Sequence, residues 1–148
     1  MNGSKRVEYG LALALFLILT AIFTWPLVLR AHEGTLGGRS DTLLNTWIMS
    51  WNAHTLFSDP GSLFQGNIIY PSRDVLTYSE VMLVESLLAA PFYRATRNPI
   101  LAHNLVLILG SVLASFGCYL LVKELTGSRW GGIAGGIFFA LCPYKISK

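Results

Sequence analysis

The chain has 148 residues, of which 53% are hydrophobic and only 13% charged, with a net charge of +3 and a mean hydropathy of +0.52. Soluble domains carry about 25% charged residues, so this composition excludes an ordinary water-soluble globule. The positive charge is scattered without a basic run, which speaks against a nucleic-acid partner.

In chain order, residues 1–9 carry Lys5 and Arg6 and read as a cytoplasmic N-terminus. Residues 10–29 then run for 20 positions without a charge. At about 1.5 Å per residue this matches the ~30 Å hydrocarbon core of a bilayer, and predicts a first transmembrane helix. A cleaved signal peptide would show a shorter apolar region and a small-x-small site, and Trp25-Pro26-Leu27-Val28-Leu29-Arg30 offers none. Lys5 and Arg6 hold the N-terminus inside, with Trp25 at the outer interface.

Residues 30–98 then form an extracytoplasmic loop bearing two interfacial helices, at about 42–57 and 78–93. In the first, Leu44, Trp47, Ile48, Trp51 and His54 share one side, with Asp41, Asn45 and Asn52 opposite. A tryptophan-rich face of this kind suits a membrane interface. Asp59-Pro60-Gly61 ends the helix, and Arg73-Asp74 marks a second turn. The apolar stretch from Val81 to Tyr93 is interrupted by Glu85, Ser86 and Pro91 and covers only about 20 Å, too short to span. A rival reading makes 77–93 a span and places Arg94 and Arg97 inside.

Asn98-Pro99 gives an N-cap and a first helical residue for a second span over 99–122. Gly110, Ala114 and Cys118 form a small-residue stripe on it. Residues 123–129, with Lys123 and Arg129, form a cytoplasmic loop that satisfies the positive-inside rule. A third span, 130–148, repeats small residues at Gly131/Gly135 and at Gly132/Gly136/Ala140. That run is short and Pro143 to Lys148 gives no closing signal, so the chain reads as the N-terminal fragment of a longer multi-span protein. Cys118 and Cys142 lie in apolar runs without C-x-x-C spacing and read as packing residues.

Asp41 is the leading catalytic candidate, set against its reading as the N-cap of the helix that follows. Glu80 and Glu85 are costly to place in an apolar segment, which makes a functional role the default, against outward pointing toward headgroups. Five residues apart, they cannot form one carboxylate pair on a helix. His54 shares its face with two tryptophans, where a hydrogen-bonding residue is commoner than a base. His103 and Asn104 face either a polar cavity or a neighbouring helix. Arg39, Arg73, Arg94 and Arg97 can hold a lipid phosphate, or simply snorkel.

The order of these parts resembles the start of the GT-C superfamily of membrane glycosyltransferases, in the protein mannosyltransferase and aminoarabinose transferase branch. The matching pieces are Ser40-Asp41 through Trp51, Asn67-Ile68-Ile69-Tyr70-Pro71, Tyr78-Ser79-Glu80, Asn98-Pro99 with Asn104, and Leu125-Thr126-Gly127-Ser128-Arg129. The resemblance implies an all-α membrane protein, the first part of a multi-span bundle in a bacterial cytoplasmic membrane. By the same match Asp41 corresponds to the family's first-loop catalytic aspartate and Glu80 to an acidic residue near its lipid-phosphate site. Asp41 and Glu80 are thus the expected catalytic residues, with Arg39, Arg73, Tyr78 and His54 as candidates for binding substrate. The donor would be a sugar on a polyprenyl phosphate, with membrane lipids as neighbours and an acceptor that the residues do not name. No cofactor is called for, and a divalent cation is left open. The sequence departs from the branch at Thr42, where a second acid is usual, and at Val81, where some members place a basic residue. The alternative is a non-catalytic multi-span protein, a transporter segment or assembly factor packed through its small-residue stripes.

Overall fold

The computed structural model describes residues 3–35 and 39–142, without the side chains of Ser4, Arg39 and Ser40. Among these residues the chain is all-helical and contains no strand. The helices are α1 (Gly3–Phe23), α2 (Arg39–Ser58), α3 (Leu83–Thr96), α4 (Pro99–Thr126) and α5 (Arg129–Ala140), with short 3₁₀ turns at Leu27–Leu29, Pro60–Ser62 and Val75–Tyr78. Two helices are long and apolar enough to cross a membrane: α1 from Lys5 to Phe23, and α4. Their 19 and 28 residues reach about 28 and 42 Å. Only 17% and 22% of their apolar windows are buried, so most of that surface faces outward, unlike the core helix of a soluble protein.

The apolar run 10–29 is not one helix. α1 starts earlier and stops at Phe23, ahead of Pro26, which has no N–H to donate and biases Trp25 away from helical geometry. The twelve residues of α5 cover about 18 Å, and residues 143–148 of the expected third span lie outside the described residues.

The chain divides into two units, residues 1–29 with 107–148, and residues 30–106. In the first, Ala12, Phe16, Val112 and Tyr119 form the core, flanked by Ile133 and Ile137 of α5. Glycine sets how closely α5 can lie. A Cβ on Gly132 would stand 2.8 Å from the Tyr119 carbonyl oxygen, and one on Gly136 would collide with the Phe16 ring. Gly132, Gly136 and Ala140 are all buried, as their four-residue spacing predicts. The Gly110/Ala114 stripe is different: both residues are exposed, and a Cβ on Gly110 would meet nothing within 4 Å. Lys123 Nζ pairs with Glu8 Oε1 at 2.6 Å, and the Tyr119 hydroxyl donates to the same oxygen.

In the second unit α2 packs on α3, with Met49, Ala89, Ala102 and Val106 at the centre. The buried residues of α2 are Thr42, Thr46, Ile48, Met49, Asn52, Ala53 and Thr55; of the aromatic face only Ile48 is fully buried, Trp47 and Trp51 are half-buried, and Leu44 and His54 are exposed. Asn52 is fully buried, and its amide donates to the Val81 carbonyl at 2.6 Å and to Ser86 Oγ at 3.0 Å. Those two bonds offset the desolvation of the group. The Thr46 hydroxyl is satisfied within its own helix, by the Thr42 carbonyl. The tryptophans serve the returning loop: Trp51 Nε1 donates to the Leu63 carbonyl, and Trp47 stacks on Trp51 at 6.1 Å. At Gly66, with φ of 48°, a Cβ would lie 3.2 Å from the Trp47 ring, so close approach and left-handed backbone both call for glycine.

α3 is inside out for a helix in water. Its small residues Ser86, Ala89 and Ala90 are buried, whereas Val84, Leu87, Leu88 and Phe92 are exposed. At 14 residues it covers about 21 Å. α4 opens as the Asn-Pro pair predicts, with Leu101 N–H donating to Asn98 Oδ1 at 3.0 Å. The Asn104 side chain is fully buried and donates to the carbonyls of Ala31 and Gly34, and Asn98 Nδ2 donates to that of His32. The stretch ahead of α2 is thereby moored to the first turns of α4.

Candidate functional site

Asp41 stands in the first turn of α2 and is exposed. The helix begins at Arg39, so Asp41 lies within its first turn. Negative charge is favoured at this end of a helix, where N–H groups lack carbonyl partners. Arg39 is in the same turn, but its side chain lies outside the described residues.

Glu80 precedes α3 and is exposed, as are Tyr78, at the end of the 3₁₀ turn, and Arg73. Asn52 fixes this segment, because the carbonyl it holds belongs to Val81, the next residue after Glu80. Asn52 lies 11 residues beyond Asp41, about 16 Å along the helix axis. Glu80 is thus anchored nearer the middle of α2, and Asp41 stands at its start. Glu85 is exposed in the first turn of α3, on the flank of the apolar outward face.

His54 belongs to a different place. It follows Asp41 by 13 residues in one continuous helix, which sets the two about 20 Å apart along the axis. α2 and α3 run parallel, Asn52 meeting Ser86 and Phe57 meeting Arg94, so their C-terminal ends come together. Between those ends lies a cleft of about 350 Å³ lined by His54, Phe57, Ser58, Tyr93, Arg94 and Arg97. The Arg94 guanidinium sits 4.9 Å from the Phe57 ring centroid. Arg97 closes α3 with φ of 55°, its N–H donating to the Tyr93 carbonyl at 2.8 Å.

The candidates therefore do not gather at one place on the α2–α3 pair. Asp41 stands at the start of α2, whereas Glu80 lies in the segment held by Asn52 nearer its middle; both, like Arg73 and Tyr78, are open to solvent. The cleft with His54 offers cations and hydroxyls and has no carboxylate in its lining. Among the described residues no group of three or more His, Cys, Asp or Glu gathers to hold a metal ion. Tyr93 and Ser58 were not singled out by the sequence, which marked Asn52 only as a polar-face residue and Ser86 only as a break in an apolar stretch. The readable signal was the spacing of His54 with Ser58 and of Arg94 with Arg97, four and three residues apart and so on one helix face.

The chain matches no protein-family model, no curated protein and no solved structure.

Proposed function

We propose that the chain serves a membrane glycosyltransferase of the GT-C type, moving a sugar from a polyprenyl-phosphate donor to an acceptor on the extracytoplasmic side. The observation that carries this reading is the exposed Asp41 carboxylate in the first turn of α2. It stands in a helical pair bracketed along the chain by the two span-length helices α1 and α4. With α1 and α4 crossing the membrane and Lys5 and Arg6 inside, residues 30–98 face the outside.

In the transfer, an acceptor hydroxyl or amine attacks the anomeric carbon and gives its proton to the Asp41 carboxylate. The bond from that carbon to the phosphate oxygen breaks, and its electron pair leaves on the lipid phosphate. Arg73 and Tyr78 supply donors for that growing charge, and Glu80 positions the donor from the segment that Asn52 fixes. The test is transfer of labelled sugar in membranes holding the full-length protein. Asp41→Asn keeps the shape and removes the base, so transfer falls by about 10²-fold or more while insertion is unchanged. Glu80→Gln lowers transfer and Glu85→Gln does so less.

One observation favours a second reading, a non-catalytic membrane protein: the open Gly110/Ala114 stripe offers a face to another helix. On that reading Asp41→Asn is without effect.

A further inference from the structure

We propose that the cleft at the joined C-terminal ends of α2 and α3 binds a phosphate group, at a site separate from the Asp41 end. The proposal rests on Arg94 and Arg97 reaching one cavity without a carboxylate to neutralise them. Among the described residues neither arginine forms an ion pair, and the nearby Asp59 carboxylate accepts from Ser62 Oγ at 2.6 Å.

Arg94 lies over the Phe57 ring, its guanidinium carbon 4.9 Å from the centroid, a cation–π contact that uses none of its N–H donors. Arg97 is more telling. It occupies a left-handed helix-closing position that glycine fills without penalty and that any residue with a Cβ resists. Attraction to the negative end of a helix, or snorkelling, accounts for one exposed arginine in a last turn. Neither places two arginines, from the last turn and the cap of one helix, in the lining of a single cleft. Tyr93 adds a hydroxyl and His54 a ring nitrogen, and about 350 Å³ holds a phosphate with part of its ester.

Because two helices end here, their carbonyl dipoles repel an anion, and binding depends on the arginines. The phosphate can come from a phospholipid headgroup or from free anion. Phe57 and Phe92 are exposed beside the cleft and lead onto the apolar side of α3, a path for an acyl chain.

The test is calorimetric titration of the full chain in lipid-free detergent, with short-chain phosphatidylglycerol in one arm and inorganic phosphate in the other. Arg94→Gln with Arg97→Gln weakens binding at least tenfold. Lys5→Gln with Arg30→Gln, which removes the same charge from exposed positions elsewhere, leaves it within twofold. Arg97→Gly relieves the backbone while removing the cation, so it weakens binding without loss of helical content by circular dichroism. Tighter binding of the lipid, displaced by phosphate, identifies a headgroup site, and equal binding in both arms identifies a site for the free anion. Failure to bind in either arm overturns the proposal, as does binding by the Arg94/Arg97 variant within twofold of the parent. Sugar transfer plays no part in this measurement, so its outcome is independent of the catalytic assignment.

Discussion

At the scale of single residues, Asn52 does more than its polarity suggests. It ties α2 to the segment ahead of α3, with its Oδ1 buried and without a partner among the described residues. Truncation leaves the Val81 carbonyl and part of the Ser86 hydroxyl unsatisfied. Asn52→Ala is therefore expected to destabilise the second unit by about 1–3 kcal/mol. Denaturant unfolding in detergent measures this, with the exposed Asn67→Ala as the reference. An unchanged midpoint would show that the Val81 and Ser86 bonds add nothing. In the sequence pattern Asn52 sits on the polar side of α2, opposite Trp47 and Trp51, and helical period alone does not say which side meets protein. In the structure Thr42, Thr46, Met49, Asn52 and Ala53 turn inward together with Ile48, while Leu44 is exposed. His54 and Asp41 were grouped by function, although 13 residues of one helix already separate them by about 20 Å.

At the scale of elements, what could be read was whatever has a local cause. Asn98-Pro99 starts α4 because an amide cap and a fixed φ act within one turn. The Gly132/Gly136/Ala140 repeat marks a close helix contact because a period of four keeps one side of α5 bare. What could not be read depends on partners distant in sequence, such as the grip of Trp51 on Leu63 or of Asn104 on residues 31 and 34. The two glycine stripes allow a comparison. Gly136→Ala drives a methyl into the Phe16 ring and should cost about 1–3 kcal/mol. Gly110→Ala meets open space, and should be neutral or slightly stabilising through helix propensity. Thermal unfolding of both variants in detergent checks the pair, and equal effects would contradict the packing described for α5.

At the scale of the whole molecule, the membrane reading predicts sidedness. Gln65 and Glu124 are exposed and serve as reporters of sidedness. With Cys118 and Cys142 replaced by alanine, an impermeant maleimide should reach Gln65→Cys from outside intact cells. It should reach Glu124→Cys only after permeabilisation. Labelling of both from outside would mean an additional crossing near α3. The most direct test of the account joins this sidedness to the carboxylate: sealed right-side-out vesicles containing the full-length protein, given labelled polyprenyl-phosphate sugar and an external acceptor mixture. The parent should transfer label to the external acceptor, and Asp41→Asn, inserted to the same level, should transfer at least about 10²-fold less. Equal transfer by the two proteins would contradict the assignment of Asp41 as the base.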